Sequence, residues 1–223
     1  MKKADLLDEH RATLLQCRTC GHPPEVRPIV SIARSPRAML VGQAPGIVES
    51  GGGPPFSGRA GATLFRWLGS VGIDEKTARS RLYIAAITRC YPGANEGGRG
   101  DRVPSATERA NCSHWLSAEL RIIRPSLIIP VGRLAIDAFL GPVPLDGVIG
   151  KEHALTNDAQ CTLAYDAQRT VIIPLPHPSG ASSWIHEPGH ERLLRDALQL
   201  IAERWKAIHR VGGRGGRGGR QVA

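Results

Sequence analysis

The chain has 223 residues, 41% of them hydrophobic and 22% charged, which is enough to bury one full core within a single domain. Its formal net charge of +9 favours a polyanionic partner, because neutralising phosphates releases bound counterions, and nucleic acid is the first candidate. No apolar run approaches the roughly 20 residues of a membrane-spanning helix, and the first residues lack the apolar core of a signal peptide. We therefore expect a cytoplasmic protein.

The chain begins with a helix, a proline-rich stretch and a buried strand. Leucines recur at roughly helical spacing over residues 5–16, and residues 38–42 form a short apolar run that predicts a strand. A loop of glycines, prolines and polar residues follows over 42–61, much longer than the usual loop of about two to six residues after a strand. The length favours a functional loop over an ordinary connection whose glycines and prolines only shape turns.

Three side chains in this loop can act on a flat heterocycle. Gln43 and Glu49 offer an amide and a carboxylate, and Phe56 offers an aromatic face. Ligands of open α/β sheets bind beyond the carboxyl ends of the strands, which is where this loop begins. It lacks the sequence of a P-loop and of a dinucleotide-binding fingerprint.

The rest of the chain alternates helices and strands. We predict helices over 62–71, 105–121, 132–140 and 187–209 and strands over 83–88, 127–131 and 170–175. Residues 141–169 are predicted to form a hairpin or an irregular excursion. Each strand is a continuous apolar run, which is typical of a mainly parallel sheet covered on both faces. The polar loops after the first, second and fourth strands should then meet at one edge. Residues 211–223 are an arginine-glycine repeat that cannot bury a core, so we expect a disordered tail after one domain over 1–210.

Four cysteines could share one site. Cys17 and Cys20 form a C-x-x-C pair, Cys90 follows the second strand, and Cys112 lies in the next helix. A close pair plus two distant thiols suits a metal site, but spacing does not choose between zinc and an iron-sulfur cluster. The alternatives are a redox dithiol or a zinc knuckle for the pair and plain burial for the others, and Cys161 is left without a role.

The order of these motifs resembles the family 4 uracil-DNA glycosylases. The resemblance rests on four features: G-Q-A-P-G-x-x-E from Gly42, P-F-x-G-x-A-G from Pro55, the four cysteines, and H-P-S-G from His177. The resemblance covers the chain up to about residue 210. It implies a three-layer α/β/α sandwich with a central four-stranded, mainly parallel sheet, and a 4Fe-4S cluster held by Cys17, Cys20, Cys90 and Cys112, with zinc as the alternative.

The resemblance also implies roles for individual residues. The predicted catalytic residues, which orient water or donate to the departing base, are Gln43, Glu49 and His177. The predicted base-binding residues, with Phe56 stacking on the flipped base, are Gly42, Ala44, Phe56, Ala86 and Asn95. The predicted DNA-binding residues, which contact the backbone, are Ser57, Arg59, Ser179 and Gly180.

Two departures from the family pattern concern base selection. Gln43 stands where the family usually has glutamate, and Ala86 stands in the second strand where it tends to carry a uracil-reading asparagine. Asn95 could substitute from the following loop. We therefore expect a range of deaminated bases that includes hypoxanthine or xanthine besides uracil.

The predicted function is excision of a flipped base from DNA by hydrolysis of the N-glycosidic bond, leaving an abasic site. We expect a monomer whose partner is DNA containing uracil or other deaminated bases. The alternative is a non-catalytic nucleic-acid-binding protein with a structural four-cysteine metal site, and a weaker third reading is an RNA-directed role of the tail.

Overall fold

The computed structural model describes residues 2–97, 100–155, 170–179 and 184–210. Five strands lie in these ranges: β1 (Ala38–Gly42), β2 (Leu82–Ala86), β3 (Leu127–Pro130), β4 (His153–Ala154) and β5 (Val171–Ile172). They form one sheet in the order β2-β1-β3-β5-β4, in which every pairing is parallel except that of β4 with β5. The predicted tail, Cys161 and Gly180 lie outside the described residues.

Helices connect the strands. Over the same ranges they are α1 (Lys3–Leu15), α2 (Ile47–Ser50), α3 (Arg59–Ser70), α4 (Glu75–Arg81), α5 (Ala106–Ile123), α6 (Arg133–Leu140), α7 (Leu145–Val148) and α8 (His190–Arg210), with a 3-10 turn at Trp184–His186. The predicted capping box begins α5: Ser105 Oγ accepts from the Glu108 N–H, and the Glu108 carboxylate accepts from the Ser105 N–H. None of these helices is both long and apolar enough to cross a membrane.

Two hydrophobic clusters cover the two faces of the sheet. Side chains alternate along β1, so that Leu40 joins one cluster and Met39 the other. The first cluster includes residues of α3, α4 and α8, and the second includes residues of α1 and α5, while α6 contributes to both. This arrangement confirms the predicted three-layer α/β/α class.

The strand count corrects the prediction of four strands. The excursion after α6 supplies β4, whose His153 pairs with Ile172 of β5 on the outer edge of the sheet. The last parallel strand is also shorter than the predicted 170–175. Pro130 of β3 has no N–H to donate to β5, and regular pairing resumes only at a single bridge between Val131 and Leu175. The Ile173 and Leu175 N–H groups still donate to the Ile128 and Pro130 carbonyls at 3.0 and 2.9 Å.

The polar loops after β1, β2 and β5 leave the same edge of the sheet, as predicted, because these strands run parallel. Gly42 at the end of β1 pairs with Ala86 at the end of β2. Beyond the strands, the Ile87 N–H donates to the Gly42 carbonyl at 3.0 Å and the Thr88 N–H to the Gln43 carbonyl at 3.2 Å. The chain after β2 is therefore tied to the long loop after β1.

Candidate active site

A buried carboxylate joins the two halves of the loop after β1. Glu49, in α2, is only 6% exposed, and both of its oxygens accept from the backbone. Its Oε2 accepts from the Gly46 N–H at 3.0 Å, and its Oε1 accepts from the N–H groups of Ser57 and Gly58 at 2.7 and 3.1 Å. This geometry holds the segment beginning at Gln43 against the segment carrying Phe56. The predicted part of Glu49 in orienting water stays a prediction.

We expect Glu49→Gln to lower the free energy of unfolding by about 1–3 kcal/mol, because an amide has only one acceptor oxygen and leaves backbone N–H groups unpaired. Glu9→Gln is the matched control, since Glu9 is exposed on α1. Denaturant unfolding followed by circular dichroism compares the two variants with the unchanged protein. Equal unfolding midpoints for all three proteins would contradict a loop-holding role for Glu49.

Phe56 lies against the end of β1. A Cβ added to Gly42 would stand 2.8 Å from Cζ of the Phe56 ring, so the ring rests on the Gly42 backbone, and the side chain packs against the core. Phe56 adopts φ 56°, a left-handed conformation that is uncommon for a bulky residue. The flat ring is thus held beside the strand end, where a planar ligand could stack on it.

An arginine that the sequence did not single out fixes this conformation. Arg79 of α4 donates to the carbonyls of Pro55 and Phe56 at 2.7 and 3.0 Å, and its guanidinium lies 4.5 Å from the centroid of the Phe65 ring. The sequence offered one signal for α4, since Asp74 caps the helix by accepting from the Thr77 N–H.

Gly61 allows the Phe56 backbone to approach α3 closely. A Cβ at this position would lie 1.8 Å from the Phe56 carbonyl oxygen and 2.4 Å from its carbonyl carbon. Only glycine fits a backbone contact this close. Gly61 is the last residue of the P-F-x-G-x-A-G motif, and this close contact explains why that position is a glycine.

His177 follows β5 and is held with a defined tautomer. The Ser179 N–H points at Nδ1 at 3.2 Å, and the Ser179 hydroxyl lies 2.8 Å from the same nitrogen. Because Nδ1 accepts the N–H, the proton of the neutral ring is on Nε2. Burial lowers the pKa of His177 below its ordinary value near 6.5, which favours the neutral ring at neutral pH.

The ring of His177 also contacts the start of α6. Gly132 has φ 83°, and a Cβ there would lie 2.9 Å from Cδ2 of His177. The Gly132 N–H donates to the Leu175 carbonyl at 2.9 Å, which ties the end of β3 to the segment that carries His177. The imidazole is therefore positioned by two loops of the same sheet edge.

The remaining predicted base-binding and DNA-binding residues lie on the same loops. Ala44 continues from Gln43, and Ala86 is paired with Gly42. Asn95 lies in a small turn after β2, where its side-chain amide donates to the Asp101 carbonyl at 3.3 Å. That Asn95 takes the place of a uracil-reading asparagine in the second strand stays a prediction.

The predicted backbone contacts lie near the beginning of α3. Gly58 is the N-cap residue of that helix, with Ser57 before it and Arg59 as its first residue. A helix N-terminus presents N–H groups that suit a phosphate. The hydroxyl of Ser179 contacts the His177 ring, so its predicted contact with DNA, like those of Ser57 and Arg59, stays a prediction.

The four cysteines of the predicted metal site line one cavity. Cys17, Cys20, Cys90 and Cys112 are all free thiols, although no three Cys, His, Asp or Glu side chains within the described ranges converge closely enough to hold a metal ion. N–H groups point at two of the sulfurs: the Arg89 backbone donates to Cys112 Sγ at 3.3 Å and the Asn111 amide to Cys20 Sγ at 3.9 Å. The fold thus brings together residues that are up to 95 positions apart.

Burial and mutual repulsion make two of these thiols hard to ionise. Burial first, and then the charges of the three other thiols, raise the pKa of Cys90 to about 12. Burial also raises the pKa of Cys112 to about 11 against the opposing effect of the Arg89 charge. A cation in the cavity would reverse this preference, because thiolates are the metal-binding form.

Comparison with known proteins shows the family to which this chain belongs. The sequence profile of the Uracil DNA glycosylase superfamily matches residues 30–202. A type-4 uracil-DNA glycosylase of Thermotoga maritima is 34% identical over 143 residues, which are 64% of this chain and 65% of that protein. The match therefore spans just under two thirds of the Thermotoga protein.

Two archaeal relatives match over longer stretches. A type-4 uracil-DNA glycosylase of Saccharolobus solfataricus is 34% identical over 166 residues, 74% of this chain and 69% of that protein. One of Sulfurisphaera tokodaii is 26% identical over 207 residues, 90% of this chain and 82% of that protein. With its profile match, its three-layer fold and its sequence relatives, this chain belongs to the uracil DNA glycosylase superfamily, and it is similar in sequence to the type-4 members.

Proposed function

We propose that this protein is a DNA repair glycosylase that excises uracil from DNA by hydrolysing the N-glycosidic bond. The observation that carries the proposal is the neutral imidazole of His177, whose Nε2–H is a hydrogen-bond donor beyond the carboxyl end of the sheet. The stacking face of Phe56 lies beyond the same end of the sheet. Membership in the superfamily supports the reaction class.

The proposed reaction begins when the target nucleotide leaves the base stack, at a cost of a few kcal/mol, and its base stacks on Phe56. As the bond to the sugar breaks, the electron pair moves onto the base, and the Nε2–H of His177 stabilises the developing anion. A water molecule, oriented by the Gln43 amide, adds to the sugar carbon and loses a proton to solvent. The released base takes up a proton, and an abasic site remains.

Ala86 favours a base pocket that discriminates less between bases than a pocket with an amide side chain at this position would. It is paired with Gly42 at the floor of the loop, and its methyl group can neither donate to nor accept from the edge of a pyrimidine. A site that hydrogen-bonds its substrate rejects analogues far more strongly than an apolar site does. We therefore propose that deaminated purines, hypoxanthine or xanthine, are excised besides uracil.

A panel of single-stranded and double-stranded oligonucleotides tests the function. The oligonucleotides contain uracil, hypoxanthine, xanthine or thymine opposite guanine, and alkali cleavage reveals abasic sites. Release of uracil with hypoxanthine or xanthine supports the whole proposal, and release of uracil alone limits it to the family reaction. Binding without any release would support the alternative of a non-catalytic nucleic-acid-binding protein.

We propose that the four thiols hold a 4Fe-4S cluster. Zinc is the alternative, and it would need the thiols to move closer together than they lie among the described residues. All four line one cavity, and two receive N–H donors. The buried atoms Thr88 Oγ1 and Arg89 Nε, in residues that line the cavity, have no hydrogen-bond partner among the described residues. Buried polar atoms without partners in a cavity wall fit a group that offers acceptors. When bound, such a cluster would join the segment after α1, the loop after β2 and α5. Visible absorbance with iron and sulfide analysis of purified protein distinguishes the cluster from colourless zinc.

The activity should fall at low pH because of His177. Its pKa lies below 6.5, so the neutral ring predominates at pH 7, and protonation of Nδ1 would abolish acceptance from the Ser179 N–H. We expect kcat to be constant above about pH 7 and to fall as the pH drops through the pKa of this residue. A rate that rises between pH 7 and pH 5 would contradict the role of the neutral ring.

We further propose that residues 1–210 form a monomeric catalytic domain and that residues 211–223 add affinity for DNA. Removing the residues after Val211 deletes three arginines. The negative slope of log affinity against log salt should therefore become shallower by about 2–3. Base choice should not change. Fluorescence anisotropy over a salt series, with RNA as a competitor, measures the effect. An unchanged slope would show that the tail does not contact the phosphates.

A further inference from the structure

A buried cation lies in the wall of the cysteine cavity. Arg89 directly precedes Cys90, lines the cavity with the four cysteines, and is only 2% exposed. Its backbone N–H donates to Cys112 Sγ at 3.3 Å. Burying a guanidinium is costly unless its charge and its N–H groups find partners.

One partner of the guanidinium is a carboxylate that is itself fixed. Arg89 donates to Oε2 of Glu119, which has no exposed surface. The other carboxylate oxygen accepts from the Tyr83 hydroxyl at 2.9 Å, and Nε2 of His10 lies 3.2 Å from it. Side chains from α1, β2 and α5 therefore hold Arg89 in one orientation beside the thiols.

The partners within the chain do not satisfy the whole guanidinium. Nε of Arg89 has no acceptor among the described residues, and neither does the neighbouring Thr88 hydroxyl, although both groups are buried and both residues line the cavity. In folded proteins the great majority of buried polar groups have a partner. Two adjacent residues that line the four-thiol cavity therefore carry buried donors that an acceptor could satisfy.

We propose that Arg89 is a positioning and charge-compensating residue for the group that the four thiolates hold. Glu119 orients its guanidinium, and the positive charge and the free Nε–H act on the bound group. The proposal rests on the cluster proposed above. Net charge and hydrogen bonds to sulfur set the reduction potential of an iron-sulfur cluster, so a cation beside it favours the reduced, more negative state.

The test compares four proteins: the unchanged chain, Arg89→Gln, Arg89→Lys and Arg11→Gln. Arg11 is a matched control, because it is also buried and its guanidinium also has a carboxylate partner, Asp8. Its Nε also lacks an acceptor within the described ranges, but Arg11 does not line the cavity. Each protein is purified without oxygen and analysed for iron and sulfide. The midpoint potential is then measured by reductive titration followed by visible absorbance.

We expect Arg89→Gln to shift the potential to a more negative value by about 59 mV or more, a tenfold change in the ratio of reduced to oxidised cluster. Arg89→Lys keeps the charge but loses Nε–H, so it should shift the potential in the same direction by less. Arg11→Gln should retain the potential of the unchanged chain.

Two results would overturn the proposal, and they are distinguishable. If Arg89→Gln and Arg89→Lys have the same midpoint potential as the unchanged chain, Arg89 has no role toward the cluster, although the cluster itself is present. Unchanged protein that contains no iron or sulfide would refute the cluster itself, and with it this role. Uracil excision is assayed separately, so neither result depends on the glycosylase reaction. If Arg89→Gln does not fold, the comparison of Arg89→Lys with Arg11→Gln decides the question.

Discussion

His177→Ala should lower kcat for uracil excision by about 10²–10³-fold, the loss typical of removing one donor that stabilises a developing anion. The Nε2–H of His177 is the donor proposed to act on the departing base, and alanine leaves nothing in its place. The fold should persist, because His177 is only half-buried and its hydrogen bonds go to Ser179, two residues away. Single-turnover kinetics on a uracil-containing oligonucleotide measure the loss.

Ser179→Ala is the informative comparison for this variant. It removes the hydroxyl but retains the backbone N–H that donates to Nδ1, so the tautomer should be kept and the loss should be about tenfold or less. His177→Ala with a rate within threefold of the unchanged protein would exclude His177 from the reaction. Equal losses in both variants would instead indicate that the imidazole acts only when the Ser179 hydroxyl positions it.

Gly61→Ala should lower uracil excision by about 10²-fold, because the new Cβ cannot coexist with the Phe56 carbonyl 1.8 Å away. The backbone of Phe56 must move, which displaces the ring on which the base stacks, and a displacement of about 1 Å can cost a factor of this size. The strain should also lower the free energy of unfolding by about 1–3 kcal/mol.

The same helix offers a control for this prediction. Gly69 also lies in α3, and a Cβ there would meet nothing within 4 Å. We expect Gly69→Ala to raise the free energy of unfolding by about 0.5–1 kcal/mol and to leave excision unchanged, because alanine favours the helix. Equal excision by the two variants would show that the approach of Phe56 to α3 does not position the base.

These two predictions concern residues of motifs that are visible in the sequence, whereas the contacts that explain them come from the fold. Gly61 is the last residue of the P-F-x-G-x-A-G motif, but the need for glycine there comes from the nearby carbonyl of Phe56. Glu49 was predicted from the resemblance as a catalytic carboxylate, and the structure uses both of its oxygens to hold the loop. Sequence pattern identified the positions, and hydrogen-bond geometry assigned their observed contacts.

The sequence by itself determined the elements whose burial follows a local period. The apolar run at 38–42 is β1, residue for residue, and the capping box at Ser105 marks the beginning of α5. Continuous apolar strands separated by helices are buried on both faces, which requires a mainly parallel sheet between two helical layers. The meeting of the polar loops at one edge follows from that parallel order.

Only the tertiary structure decided which distant groups meet. Arg79 reaches the Phe56 carbonyl from 23 positions away, Arg89 reaches Glu119 from 30, and His10 reaches the same carboxylate from 109. Local periodicity specifies which face of an element is buried, but it carries no information on which element packs there. The partners of buried polar groups depend on the order of strands and on the helices packed on each face, and these are set by the packing of the whole core.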